Sequence, residues 1–262
     1  MRLVGTAAAG LRAQQVAIDT IGNNLANVNT LGFKANQINF AEALSTEVRA
    51  GTTKTTGNTE VTTLSVGAGV VYNASGTNFQ QGTLDHTDRS LDLGIDGSGF
   101  FQVKTPDGTT AYTRVGAFQV DESGQLADMQ GNVVQPSILI LSGATDLVVA
   151  PNGEIKGGVD GIETLFGQIS LAGFQNPEGL QRKGNSLFVP TVNSGAPQAA
   201  QPGTTIGNQV LGTILSQSLE QSNVDVASSM TDLIQVQRAY QMNARLIQNG
   251  DQMWGIANTM RR

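Results

Sequence analysis

The chain begins and ends with an apolar residue at every seventh position, and its middle lacks this repeat. The repeat falls on Val4, Leu11, Ile18 and Leu25 at the start, and on Val226, Leu233, Tyr240, Ile247 and Trp254 at the end. This is the spacing of helices that pack side by side along their length. The sequence therefore predicts one helix over residues 3–28 and another over residues 224–260, with the two able to pair.

The apolar face of the second helix is too wide for one partner. A second stripe (Ala239, Leu246, Met253 and Met260) lies one position from the first, and neighbouring positions are about 100° apart on a helix. Such a face favours packing against further copies of the chain, although packing on the chain's own β domain remains an alternative. Helices with this much Gly and Asn are marginal alone, so we expect both ends to be largely unfolded in the monomer and to order on assembly.

Two glycines interrupt the first helix, and each costs about 1 kcal/mol relative to Ala there. Gly10 and Gly22 are tolerable where a neighbouring backbone must come close. At the start of the second helix, Ser222 or Asn223 is predicted as the cap, with Asp225 completing a weak capping box.

Between the helices the pattern is of β type, with alternating apolar residues separated by turn dipeptides. These dipeptides are Asp107-Gly108, Ser123-Gly124, Gly131-Asn132 and Asn152-Gly153. Strands are predicted near residues 70–72, 91–95, 100–103, 110–114, 117–120, 137–141, 165–174, 186–192 and 210–215. The expected class is α+β: N- and C-terminal helices pair into a coiled-coil-like inner domain, beside a central, mostly antiparallel all-β domain.

The expected domain limits follow this division. Residues 1–34 and 220–262 form the paired helices, and residues 71–199 form the β domain. Residues 35–70 and 200–219 connect them, with a Thr-rich stretch at 46–66 that is either an extended loop or a weakly paired hairpin. Residues 40–44 are expected to continue as a short helix.

Composition excludes several functions. Charged residues make up 14% of the chain and the net charge is −6, without the basic stripe that nucleic acid requires. Cysteine is absent and His86 is the one histidine, so a transition-metal site is not expected. Catalytic motifs are absent, and we predict no enzyme, cofactor or small-molecule ligand. No apolar run is long enough to span a bilayer, and no cleavable signal peptide is expected.

Three sequence motifs resemble those of bacterial flagellar rod and hook proteins. Residues 23–34 carry the N-terminal signature, and residues 222–225 and 237–245 its C-terminal counterpart. Residues 97–103 with 111–114 resemble the start of that family's β domain. The signature residues are Asn24, Asn27, Thr30, Gly32, Phe33, Lys34, Gln237, Arg238, Tyr240 and Asn243.

The resemblance implies a structural subunit that polymerises into a helical tube and transmits torque across the periplasm from motor to hook. The implied partners are further copies of the chain, proximal rod proteins, the hook protein, the rod-surrounding ring proteins and the flagellar type III export apparatus. The implied location is the flagellar basal body in the cell envelope, reached without a cleaved signal peptide. Length and the stretch at 46–66 are most like those of distal rod members. A proximal rod or hook-type paralogue is the alternative, and a secreted glycan-binding β protein is the alternative from another class.

Two sets of residues are predicted to carry this function. The assembly interface is predicted at Val4, Leu11, Ile18, Ile21 and Leu25 of the first helix, and at Val226, Leu233, Tyr240, Leu246, Ile247, Met253 and Trp254 of the second. Phe40 and Leu44 resemble the Phe-x-x-x-hydrophobic motif by which early flagellar subunits reach the export gate, with an amphipathic helical turn as the alternative interpretation.

Overall fold

The computed structural model describes residues 2–43, 46–55, 58–67, 69–141, 143–159, 162–207 and 209–260. In these ranges two α-helices lie at the ends of the chain, α1 over Arg2–Ala26 and α2 over Val226–Met260. Strands fill the sequence between them, so the predicted α+β class is confirmed. Both helices agree with the predicted ranges to within two residues.

The strands are numbered in chain order. They are β1 Asn36–Glu42, β2 Thr46–Thr55, β3 Asn58–Val66, β4 Val70–Thr77, β5 Leu84–His86, β6 Leu93–Asp96, β7 Phe100–Lys104, β8 Thr110–Thr113, β9 Phe118–Val120, β10 Leu126–Asp128, β11 Val133–Gln135, β12 Thr145–Val149, β13 Glu154–Val159, β14 Ile162–Gln168, β15 Leu171–Gly173, β16 Gln181–Gly184, β17 Leu187–Val189, β18 Gln198–Ala200, β19 Thr205–Ile206, β20 Gln209–Val210, β21 Thr213–Ser216 and β22 Ser218–Glu220.

The chain divides into two compact units. The helical unit holds residues 1–25, 36–76 and 225–262, and the β unit holds residues 26–35 and 77–224. In the helical unit β1 pairs with β4, and β2 pairs with β3 as a long antiparallel hairpin. The stretch at 46–66 is therefore a hairpin rather than an extended loop.

The expected short helix at residues 40–44 is wrong for its described part. Residues 40–42 belong to β1, in which exposed and half-buried positions alternate from residue 36 to residue 39. The strand pairs with β4, and the N–H of Ala43 donates to the carbonyl of Gly69 at 2.9 Å. Pairing across the unit thus overrides the local helical spacing. Leu44 lies outside the described residues.

The β unit is built on a mostly antiparallel sheet. Among the described residues it has nine strands, with β16, β17, β8, β7, β11, β10 and β9 in order and with β15 joining β7 to β18. Strand β21 returns to pair with β6, and β22 pairs with β5. The last strands before α2 therefore belong to the β unit.

Two clusters form the core of this unit. The larger is aliphatic and contains Leu93, Ile95, Val103, Leu126, Ile155, Ile169, Leu171, Leu211 and Ile214, together with Phe101 and Phe118. The smaller is aromatic and contains Phe100, Tyr112, Phe174 and Phe188, with Phe79 packed against it. Its rings meet edge to face, as Tyr112 and Phe174 do with centroids 4.9 Å apart.

The predicted turn dipeptides are confirmed, because Gly108, Gly124, Gly131 and Gly153 all have φ between 78° and 85°. The predicted strand at residues 137–141 is wrong. Ile138 and Ile140 are buried and Leu139 is exposed, which is the alternation of a strand. Their backbone groups, however, form one isolated antiparallel bridge, between Leu139 and Gln125, rather than a strand. In this bridge the Leu126 N–H donates to Ile138 O, and the Ile140 N–H donates to Gly124 O.

Candidate functional site: the helix pair and a buried clasp

The face of α1 that is buried within the chain consists of small residues. Ala7, Ala13 and Ala17 are buried, and the Cβ that a side chain would add at Gly10 lies 2.9 Å from Nδ2 of Asn243 in α2. Gly10 therefore makes room for the side chain of Asn243, rather than for the neighbouring backbone that its position predicts. Gly22 meets nothing within 4 Å.

The helices run antiparallel. Phe33 O accepts a hydrogen bond from Asn223 N, and the Ala35 N–H donates to Asn223 Oδ1 at 2.8 Å. The chain thus leaves α1 beside the point where it enters α2. Helix α2 has 35 residues and α1 has 25, so α2 is about 15 Å longer. With Gly10 opposite Asn243, the excess falls at the C-terminal end of α2.

The predicted interface residues are only partly covered by the chain itself. Of α1, Leu11, Ile18, Ile21 and Leu25 are half-buried, and the Val4 side chain lies outside the described ones. Of α2, Leu233, Tyr240 and Ile247 are half-buried, whereas Val226, Leu246, Met253 and Trp254 are exposed. The half-buried members of α2 share the face on which Asn243 meets Gly10.

A second apolar face of α2 is uncovered in the single chain. Its members are exposed and fall within about 80° of one another on the helical wheel: Met242, Leu246, Met253, Ile256 and Met260. This face points away from the half-buried one, and an isolated apolar face of this size is typical of an association surface.

The cap of α2 differs from the prediction. Oδ1 of Asp225 accepts hydrogen bonds from the N–H groups of Ala227 at 2.9 Å and Ser228 at 3.5 Å. Asp225 is therefore the N-cap. Ser222 instead accepts from Val224 N, and the Asn223 side chain bonds to Ala35 and to residues 78 and 80, so neither of the two predicted residues caps the helix.

The N-terminal signature residues join α1 to the first strand and to the β unit. The Asn24 side chain is buried and bonds both backbone groups of Asn36, each at 2.9 Å. Asn27 accepts from the backbone N–H and the hydroxyl of Thr30. Gly32 has φ 60°, and an added Cβ would lie 2.9 Å from Val115 N, so glycine is required there.

Lys34 ends the signature and lies fully buried in an ionic cluster. Its ammonium pairs with Oε1 of Glu220 at 2.5 Å and donates to Gln80 O at 2.8 Å. Oε2 of Glu220 pairs with the buried Arg114 at 3.4 Å, and Oε1 also accepts from Gly82 N. Burial lowers the pKa of Lys34 and that of Arg114, and the Glu220 carboxylate opposes both shifts.

Asn223 extends this cluster. Besides its bonds to Phe33 and Ala35, its Nδ2 donates to Asn78 O and Gln80 O, each at 2.9 Å. We call Lys34, Arg114, Glu220 and Asn223 the clasp. It ties the segment on the C-terminal side of α1 to the segment that precedes α2, because both contribute side chains to it.

Aromatic rings and a third cation adjoin the clasp. The Arg182 guanidinium lies 4.8 Å from the centroid of Phe33 and donates to Lys34 O. Arg114 similarly lies 5.2 Å from the centroid of Phe100. These contacts offset part of the buried excess of positive charge.

The remaining predicted residues have simpler surroundings. Gln237 and Arg238 are exposed, while Asn243 is half-buried. Phe40 is 46% exposed in β1. Among the described residues, no group of His, Asp and Glu side chains is placed to hold a metal ion. In the same ranges no helix has the length and apolarity needed to cross a membrane.

Comparison with known proteins places the chain in a family. The profile described as flagella basal body rod protein matches residues 5–34, the flagellar hook protein FlgE/F/G D1 domain matches residues 94–157, and the flagellar basal body rod FlgEFG protein C-terminal region matches residues 215–260. The flagellar basal-body rod protein FlgG of Caulobacter vibrioides is 40% identical over 100% of both chains. The chain belongs to the flagellar basal-body rod family.

Two further relatives agree with this assignment. FlgG of Borreliella burgdorferi is 38% identical, with 100% of this chain and 99% of the relative covered, and FlgG of Bacillus subtilis is 34% identical, with 97% and 96% covered. The predicted resemblance is confirmed. As a member of the rod family, the chain is a structural subunit of the flagellar basal body and not an enzyme.

Sequence reasoning missed half of the clasp of this rod protein. It singled out Lys34 through the N-terminal signature and Asn223 as a candidate cap, but not Glu220 or Arg114. It also missed Arg182, which adjoins the clasp. Glu220 could have been found from its position, because it is an acidic residue that directly follows Leu219 and lies next to the C-terminal motif at 222–225. Arg114 stands in the β-domain motif at 111–114 without any local sign of a partner.

Proposed function

We propose that this chain is the subunit of the distal rod, and that it polymerises into a helical tube that carries torque across the periplasm from motor to hook. The observation that carries the proposal is the uncovered apolar face of α2, from Met242 to Met260. The full-length identity to the FlgG proteins of three organisms, 34–40%, supports the distal member of the family.

The tube follows from two faces on one helix. One face of α2 meets α1, and the second is left for another copy of the chain. Each apolar side chain that becomes buried contributes about 1.5–3 kcal/mol, so a few contacts per neighbour suffice for stable lateral packing. Many modest contacts that cannot slip would make the polymer stiff.

The predicted interface residues are part of this proposal. Residues of both helices pack against neighbouring copies of the chain. They are Val4, Leu11, Ile18, Ile21 and Leu25 of α1, and Val226, Leu233, Tyr240, Leu246, Ile247, Met253 and Trp254 of α2. Their partial exposure in one chain supports this role. Residues 1–34 and 220–262 form the inner domain of the tube, residues 71–199 the outer β domain, and residues 35–70 and 200–219 the connection.

A rod-like paralogue is the second candidate. A hook-basal body complex protein of Bacillus subtilis named FlhP is 32% identical over 100% of this chain and 100% of its own length. Such full-length similarity to a differently named protein supports a proximal rod or hook-type position for the chain. Complementation of strains that lack a single rod gene separates the two candidates.

The proposed partners follow from the position in the rod. They are the proximal rod proteins and the hook protein at the two ends of the polymer, the ring proteins around it, and the type III export apparatus. Phe40 is proposed to contact the export gate, and its 46% exposure in β1 supports access to a partner. If so, Phe40→Ala should lower the amount of exported subunit without altering polymerisation of the purified protein.

The test of the proposed function is sedimentation and electron microscopy of the purified full chain over a range of concentrations. We expect tubes above a threshold concentration. A trimmed chain of residues 26–224, which keeps the clasp, should remain folded and dispersed. Dispersion of the full chain at every concentration, or tubes formed by the trimmed chain, would contradict the proposal.

A further inference from the structure

We propose that Glu220 is the positioning residue of the clasp. It holds the segment that follows α1 beside the segment that precedes α2, and so promotes assembly. The proposal rests on the proposed function, because its consequence is measured on polymerisation. The clasp itself is measured in the monomer, so that measurement does not depend on the proposed function.

Glu220 joins parts of the chain that are distant in sequence. Its two carboxylate oxygens are shared by Lys34, Arg114 and the N–H of Gly82, and its backbone carbonyl accepts from Gly32 N at 2.8 Å. Its side chain is fully buried. One residue just before α2 thereby fixes the segment just after α1.

The clasp forms entirely within the β unit. The bonds of Glu220 and of the Asn223 side chain go to residues 26–35 and 77–224, which belong to that unit. Folding of the β domain alone is therefore sufficient to bring both segments together, before either helix has a partner. The β core supplies the rigid support, because Arg114 follows directly on β8 and Glu220 ends β22.

A physical benefit follows for helices that are marginal alone. Because α1 and α2 are joined to the same clasp, their pairing is intramolecular. The effective concentration of one helix near the other falls roughly as the −3/2 power of the flexible length between them. If opening of the clasp doubles that length, the effective concentration falls about threefold. The clasp thus lowers the entropic cost of forming the antiparallel pair that each neighbour must meet.

The ionic character of the clasp makes it sensitive to the loss of one partner. Loss of one member of a buried ion pair leaves the others unpaired, which is strongly unfavourable. Glu220→Gln keeps the size of the side chain but removes the charge that Lys34 and Arg114 share. Asn223→Ala is the milder variant, since it removes hydrogen bonds from a half-buried side chain and leaves the ion pairs intact.

The first measurement is the distance between the two segments in the monomeric full chain. The chain has no cysteine, so the double variant Asn29→Cys, Ser222→Cys carries one spin label in each segment. Electron-electron resonance then measures the distance between the two labels. We expect one narrow distance distribution in the parent protein. In Asn223→Ala and Glu220→Gln about five released residues should add roughly 12 Å of spread.

The second measurement is the concentration at which the unlabelled proteins polymerise. We expect both clasp variants to need about threefold more protein or higher. The matched control is Ile155→Val, which removes one methyl group from the buried core at β13. It should lower the unfolding temperature of the β unit while leaving the distance and the polymerisation threshold unchanged.

The outcomes separate the two proposals. Distances that stay narrow in Asn223→Ala, with Glu220→Gln either narrow or unfolded, overturn the clasp. Broad distances together with an unchanged polymerisation threshold overturn its role in assembly. If no protein polymerises but the distances broaden as expected, the proposed tube fails while the clasp stands. A threshold raised equally by Ile155→Val would show that lost stability, rather than position, is responsible.

Discussion

Met253 offers the sharpest test of the uncovered face of α2. Its side chain is 69% exposed in the single chain, and complete burial of a methionine contributes about 1.5–3 kcal/mol. A neighbour that covers the remainder would therefore gain about 1–2 kcal/mol from this residue. Met253→Ala removes that gain without weakening the helix, since Ala is the best helix former. We expect the polymerisation threshold to rise about 5- to 30-fold.

The assay is quantitative pelleting of the polymer against total protein concentration. Met129→Ala is the matched control, because Met129 has the same chemistry and is 71% exposed, but it lies in the β unit. It should shift the threshold less than about twofold. An equal shift in both variants, or no shift in Met253→Ala, would refute the assignment of this face to a neighbouring copy.

Three other variants test particular contacts. Gly10→Leu should separate the helix pair, because even a Cβ there lies 2.9 Å from Asn243, and hydrogen exchange of α1 should then quicken; unchanged protection would contradict the close approach. Gly116→Ala should destabilise the β unit by about 1–3 kcal/mol, since its Cβ would overlap a backbone carbonyl oxygen, whereas Gly76→Ala, with open space, should leave the unfolding temperature unchanged. Asp225→Ala should cost about 1 kcal/mol of helix stability and reduce the helical circular dichroism of the monomer or polymer; an unaltered spectrum in both would contradict its role as cap.

The helices and turns could be predicted because their signals are local. A seven-residue repeat and an Ala-rich composition define α1 and α2, and glycine after Asp, Ser or Asn marks the tight turns. The capping residue of α2 could not be predicted, because Ser222, Asn223 and Asp225 are all good caps. Only the hydrogen bonds of the folded chain show that Asp225 caps the helix while Asn223 bonds elsewhere.

Pairing between distant segments could not be predicted. Phe40 belongs to a strand because β4 lies beside it, whereas the alternation at residues 137–141 yields one isolated bridge, between Leu139 and Gln125. The clasp is the extreme case. Lys34 and Glu220 are 186 residues apart, and no local pattern in a single sequence relates two such residues.

The residues that face a partner could be predicted only in part, for a related reason. The heptad repeat identifies Leu233, Tyr240 and Ile247, which share the face that meets α1, and the second stripe identifies Leu246 and Met253, which are uncovered. Small residues such as Ala13 and Ala17 form the buried stripe of α1. Alanine abundance has its own explanation in helix propensity, so the sequence does not show which alanines face a partner.

The most direct test of self-assembly through the terminal helices is a helical reconstruction of the polymer by electron cryomicroscopy. We expect α1 and α2 at the inner radius, with Met242, Leu246 and Met253 covered by the helices of adjacent subunits and with Lys34 still paired to Glu220. A polymer held together through its β domains, with those three side chains still facing solvent, would contradict this mode of assembly.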